Sequence, residues 1–85
     1  MDVSKIQSIL SKVEEFSEVH VRVEGSHYEI IVISDLFLDM KRVQQQQAVY
    51  APLMQYIASG DMHAVTIKTF TLQQWQREKV FHLPG

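Results

Sequence analysis

The spacing of apolar residues switches along the chain between a helical and a strand period. Val3, Ile6, Ile9/Leu10, Val13 and Phe16 recur at helical intervals, with Lys12, Glu14 and Glu15 off that stripe. Asp2 stands where a side chain caps a first turn. Val19-His20-Val21-Arg22-Val23-Glu24 then alternates strictly, Gly25-Ser26 interrupts, and His27-Tyr28-Glu29-Ile30-Ile31-Val32-Ile33 resumes as a second strand-like run. A two-residue connection with glycine first fits a type II′ turn, which needs positive φ at its first central residue. The turn sets a register: Val23 opposite Tyr28, Val21 opposite Ile30 and Val19 opposite Val32 on a buried face, with Glu24/His27, Arg22/Glu29 and His20/Ile31 on the other. Arg22 against Glu29 is then a cross-strand charge pair, whereas a slip of one residue would bury Arg22.

Residues 34–42 read as a connector anchored by Phe37, and residues 43–59 as a helix with Val43, Val49/Tyr50, Leu53/Met54 and Tyr56/Ile57 on one side. The glutamines at 44–47 fall largely on the other side, too short a run for low complexity, and read as a solvated helix face. Pro52 cannot donate to the carbonyl of Ala48, so a kink or restart is expected there. Gly60 marks a helix end. From Asp61 to Thr71 a period of two returns, with Val65, Ile67 and Thr69 on one face, Ala64, Thr66, Lys68 and Phe70 on the other, and His63 at the entrance. Thr71 with Gln74 forms a capping box, and Phe70 with Trp75 the matching hydrophobic staple of a last helix. From Lys79 the chain reads as loose, ending in Pro84-Gly85.

The order is αββαβα. A hairpin makes the first two strands antiparallel, and a helical crossover makes the third parallel to the second. The prediction is an α+β fold: a three-stranded mixed sheet with helices packed on one face, a single domain over residues 1–80 and a flexible tail at 81–85. A chain of 85 residues buries only about 60–65% of its unfolded surface, so the core is small and two-layered. Net charge is −2, and neither half carries an excess of basic residues large enough to make a strong polyanion-binding surface. The absence of cysteine removes disulfides, thiolate metal ligands and a cysteine nucleophile from what this chain does alone. No charged-then-apolar leader opens the sequence, and the longest aliphatic run, Ile30 to Ile33, is far too short to span a bilayer, so a cytoplasmic protein without membrane attachment is expected. Seven serines occur without a Gly-x-Ser-x-Gly elbow, and there is no Gly-rich loop or His-Glu-x-x-His motif, so catalysis is not expected.

The histidines hold what chemistry there is. His27 opens the second strand and His63 precedes the third; in neighbouring parallel strands those positions share one rim of the sheet, with strands ~4.8 Å apart. Two neutral imidazoles are half a ligand set for zinc or for one iron of an iron–sulfur cluster, and the chain offers no other half. Spacing alone favours two unrelated histidines, one beside a turn and one satisfied by a backbone carbonyl. His20 is expected on the open sheet face and His82 in the tail, both as surface residues.

Several short matches in order connect these features to a family. Through Ser26-His27-Tyr28, Arg42-Val43, Gln47, Val49-Tyr50, Ala51-Pro52-Leu53-Met54, His63-Ala64-Val65, Ile67-Lys68 and Trp75, the chain resembles BolA proteins, most closely their IbaG (YrbA) branch. The resemblance covers nearly the whole length. It implies a class II KH-like fold and partnership with a monothiol glutaredoxin of the CGFS type, by apo contact or by sharing a 2Fe–2S cluster. In that family the histidine matching His63 is the characteristic cluster ligand, and a second ligand lies in the loop between the first two strands. The glutaredoxin cysteine and a glutathione thiol supply the sulfur side, and the isolated chain holds no cofactor. Here the first hairpin is short, so His27 is the only histidine available in that region. Asp39 and Lys41 stand where this branch usually has glycine and serine, which bears on the turn and cap before the second helix, and Leu72 replaces a common proline.

The implied role is a non-enzymatic adaptor in iron–sulfur trafficking, iron homeostasis or acid-stress response, with metal ligands His63 and His27. Because protonated imidazole has no metal-binding lone pair, a histidine-ligated cluster should be lost on acidification. The alternative is a nucleic-acid-binding transcriptional regulator. A KH domain grips the backbone with a Gly-x-x-Gly loop; this chain has none, and offers only Lys41 and Arg42 near the equivalent segment, with Lys68, Arg77 and Lys79 elsewhere. Homodimerisation is left open by the sequence.

Overall fold

The computed structural model describes residues 2–62 and 64–82. Asp2 accepts a hydrogen bond from the Lys5 amide at 2.8 Å and starts α1 (Val3–Ser11), which buries Ile6 and Leu10 completely. The apolar stripe extends to Phe16, but the helix does not. After Ser11 the chain leaves through two tight turns, Val13 N–H to the Leu10 carbonyl and Phe16 N–H to the Val13 carbonyl, each 3.1 Å. These turns carry Phe16 into the core beside Phe37, ring centroids 6.1 Å apart, and let the chain reverse into the sheet.

Strands β1 (Glu18–Glu24) and β2 (His27–Ile33) pair antiparallel in the register the alternation predicts, Val23 with Tyr28, Val21 with Ile30 and Val19 with Val32. Gly25 has φ +62° while Ser26 does not have positive φ, which rules out type I′ and agrees with type II′. Val23 departs from expectation. It is 42% exposed on edge strand β1, although Tyr28 opposite it is buried.

Ser34 follows β2 and is fully buried, its Oγ accepting from the Leu36 amide and donating to the Glu15 carbonyl. It opens a short 3-10 helix (Asp35–Asp39) that seats Phe37 in the core, as expected of the connector's anchor. At α2 (Arg42–Tyr50), lysine has no acceptor to complete a capping box. Gln44 makes the return half alone, accepting from the Lys41 amide at 2.8 Å. Pro52 does break the helix: a 3-10 turn (Ala51–Leu53) separates α2 from α3 (Met54–Ala58). Strand β3 (Ala64–Phe70) runs parallel to β2, giving the sheet order β1-β2-β3.

α1, α2 and the 3-10 turn after α2 cover one face of the sheet, packing Ile6, Leu10, Val49 and Leu53 against Val19, Ile30, Val32 and Ile67. The expectation that every helix packs on one face needs correction for the last. α4 (Leu72–His82) crosses to the opposite face, where Trp75 packs on Ile31, Ile33 and Phe70. The capping box that launches it is complete, the Thr71 amide donating to Gln74 Oε1 at 2.9 Å and the Gln74 amide to Thr71 Oγ1 at 3.2 Å. The Phe70–Trp75 staple is present at 5.4 Å between centroids. The helix also runs into the expected loose tail, whose residues 83–85 lie outside the described residues. It reaches His82, whose ring stacks on Trp75 at 6.1 Å and 21°.

Candidate functional site

The rim where β2 and β3 begin is built by two turns. On one side the positive φ of Gly25 closes the hairpin, so that β2 starts at His27. On the other, α3 ends in a full Schellman motif: Gly60 at φ +86°, its amide bonded to the Ile57 carbonyl at 3.2 Å, and the Asp61 amide to the Tyr56 carbonyl at 3.0 Å. Ser59 Oγ donates to Asp61 Oδ2 at 2.9 Å, and Met62 is buried to 2% exposure, so the segment entering β3 is anchored in the core. His63 itself lies outside the described residues. Ala64, the next residue, pairs with His27 in the parallel register. His27 is exposed, and its Nε2 lies 2.9 Å from Thr66 Oγ1.

One row further along the same face is a charge triad across all three strands. Arg22 donates to Glu29 Oε1, and Lys68 Nζ lies 3.3 Å from Glu29 Oε2. The hydrogen bond from Arg22, opposed by burial and reinforced by Lys68, holds the Glu29 carboxyl below the usual glutamate range. The predicted cross-strand pair is therefore present, and Lys68 belongs to it.

The opposite end of that face carries a cluster that sequence reasoning missed. Glu18 Oε2 accepts from Trp75 Nε1 at 2.8 Å and is hydrogen-bonded to His20 Nε2 at 2.5 Å. The His20 and Trp75 rings are 5.4 Å apart, so Trp75 lies against both His20 and His82. The hydrogen bond with His20 is the main cause lowering the Glu18 carboxyl, burial opposing it and Trp75 adding to it. His20 and His82, expected as surface residues, are thus partners of the helix-docking tryptophan. Alternation places Glu18 and His20 on one strand face, which is half the signal; the other half needs α4 on that face.

The glutamines at 44–47 also do more than face solvent. Gln45 Nε2 bonds the Phe37 and Met40 carbonyls, each at 3.1 Å, and its Oε1 accepts from Thr69. Gln46 Nε2 donates to the Ile67 carbonyl on edge strand β3 at 3.0 Å. Of the basic candidates, Arg42 and Lys68 line one groove of about 340 Å³ beside these glutamines. Lys41 is exposed before α2, while Arg77 and Lys79 are exposed on α4 and do not line that groove. Among the described residues no helix is long and apolar enough to cross a membrane.

Comparison with known proteins adds to this geometry. The BolA-like protein family matches residues 4–74. Over 79 residues the chain is 46% identical to the acid stress protein IbaG of Escherichia coli, covering 93% of this chain and 94% of that one. It is 42% identical over 82 residues to an uncharacterized protein of Haemophilus influenzae, covering 96% of each. The structure of a BolA protein homologue from Coxiella burnetii matches with a TM-score of 0.74 at 24% identity, covering 91% of this chain and 99% of that one, a likeness of fold. With the family match running from α1 into α4, and close relatives aligned over almost their whole length, the chain belongs to the BolA-like protein family.

Proposed function

We propose that this protein is a non-enzymatic cytoplasmic adaptor that pairs with a monothiol glutaredoxin of the CGFS type and shares a 2Fe–2S cluster with it, in iron–sulfur trafficking, iron homeostasis or acid-stress response. The observation that carries the reading is the parallel register in which His27 is the partner of Ala64, the residue after His63. Strands that begin at a common rim suit two histidine donors far apart in sequence. The donors fit half a ligand set: His27 is exposed, and among the described residues its Nδ1 has no partner. Since the chain has no cysteine, sulfur ligands have to come from the glutaredoxin cysteine and a glutathione thiol. When bound, the cluster supplies an iron–sulfur unit that can be handed on or lost. The similarity to a protein named for acid stress agrees with histidine ligation, which acid disfavours.

The test is co-expression with a CGFS glutaredoxin, read by visible absorption and circular dichroism. A coloured heterocomplex is expected, with its spectrum altered or lost in His63→Ala and altered in His27→Ala. Association without colour would leave an apo adaptor, and no association would refute the pairing. The nucleic-acid reading has one observation in its favour, the groove lined by Arg42 and Lys68, but Lys68 is already paired with Glu29. Salt separates the two: phosphate-driven binding collapses as salt rises, and a cluster-bridged complex persists.

A further inference from the structure

We propose that Thr66 is a positioning residue that fixes which ring nitrogen of His27 faces a metal, holding Nε2 so that Nδ1 is the donor; the inference rests on the adaptor reading above. Register and alternation put His27 and Thr66 on one face of adjacent strands, with Thr66 two residues beyond Ala64, the pairing partner of His27. Its Oγ1 lies 2.9 Å from His27 Nε2. The contact follows a pattern of this face. Lys68, two residues further on, makes the same diagonal reach back to Glu29. Side chains of β3 therefore lean toward the rim, and Thr66 does so from a β-branched side chain that is stiff at χ1.

No other polar side chain competes for the ring among the described residues. Glu29 is occupied by Arg22 and Lys68, and Glu24, opposite His27 across the hairpin, makes no hydrogen bond with it. A neutral imidazole carries one protonated and one bare nitrogen, and a metal-ligating histidine is commonly oriented by a bond on its second nitrogen. With Thr66 Oγ1 accepting from Nε2–H, the Nδ1 lone pair is the one presented. The reverse polarity, hydroxyl donating into Nε2, puts the proton on Nδ1 and takes that nitrogen out of coordination. The polarity of the Thr66 contact thus sets the His27 tautomer of the free protein.

The experiment is long-range proton–nitrogen correlation on the ¹⁵N-labelled free chain at about pH 8, where imidazole is neutral. His27 is expected as the Nε2–H tautomer in the wild type and in Thr66→Ser, and as a tautomer mixture in Thr66→Val, which keeps the branched shape. In the glutaredoxin complex, Thr66→Val should lose the cluster roughly tenfold faster, the lower end for removal of such an outer partner, with Thr66→Ser close to wild type. An Nδ1–H tautomer in the wild type, or an unchanged His27 signal in Thr66→Val, overturns the proposal whether or not the complex is coloured. A colourless wild-type complex overturns cluster sharing, and the metal-facing role of Thr66 with it, even where the tautomer is as expected.

Discussion

Ser34→Ala removes a single hydroxyl and should be among the most damaging conservative changes in the chain. Ser34 has no exposed surface and sits where three segments meet. Its Oγ donates to the Glu15 carbonyl at 2.6 Å and accepts from the Leu36 amide at 3.0 Å, while its own amide donates to the Phe70 carbonyl at 2.9 Å. Alanine keeps the last of these and deletes the other two. The lost cap costs about 1 kcal/mol, and the lost bond to Glu15 about 1–2 kcal/mol. Glu15 is an exposed residue and the bond is part-buried, so the loss is taken at the level of an ordinary intramolecular hydrogen bond. The expected loss is about 2–3 kcal/mol, against a total of ~4–13 kcal/mol for a domain of this length. Trp75, the only tryptophan and 3% exposed, reports unfolding by fluorescence in a urea titration. The midpoint should fall with the slope unchanged, whereas Ser8→Ala, on the exposed side of α1, should shift stability by no more than ~0.5 kcal/mol. A loss at Ser34 as small as the Ser8 control would refute the argument that this hydroxyl ties the segments together.

Gly25→Ala meets no atom within 4 Å of the added Cβ, so its cost is backbone strain at φ +62° alone, about 1 kcal/mol by thermal unfolding; a neutral result would mean the turn relaxes. Glu18 and Glu29 both have carboxyls lowered from an ordinary value of 4.5. Below that value the unfolded chain binds more protons than the folded one, so their contribution is whole above about pH 4.5 and is lost as pH falls through the lowered folded values. Urea titrations at successive pH values should show a shallower decline in that window for Glu18→Gln/Glu29→Gln than for the wild type, and equal slopes would contradict the pairing. His82→Ala removes ring contacts with Trp75 and Phe70 and should cost about 0.5–1.5 kcal/mol. Unchanged stability on that substitution would return residue 82 to a loose tail.

Features whose information lies within a few residues were legible in the sequence. The Asp2 cap, the Gly25-Ser26 turn, the break at Pro52, the helix end at Gly60 and the Thr71/Gln74 box are each decided by local backbone chemistry, and each is found. The hairpin register followed from alternation, because a slip by one would have buried Arg22. What depended on distant partners was misread or missed. Gln45 and Gln46 looked solvated because their bonds to Thr69 and Ile67 span more than twenty residues. The placement of α4 did leave a signal: Ile30-Ile31-Val32-Ile33 is an unbroken aliphatic run, the mark of a strand buried on both faces, and all four residues are buried. His27 was placed correctly at the start of β2, while Thr66 beside it gave no sign, since a threonine in a strand needs no special reason.

The crossing of α4 also explains why the His27 end of the sheet stays open. On the outer face, successive cross-strand rows read Glu18–Ile33–Phe70, His20–Ile31–Lys68, Arg22–Glu29–Thr66 and Glu24–His27–Ala64. Trp75 covers the aliphatic side chains of the first two, so the stabilising contacts of α4 are concentrated at the end of the sheet away from His27. The third row is held by the Arg22–Glu29–Lys68 triad, whose charges keep an apolar layer from spreading over it. Among the described residues the fourth has only the hairpin turn and the Thr66 contact. His27 is thus supported by two rigid strands without being enclosed, so a partner can approach its ring without disturbing the core that holds β2 and β3 in register.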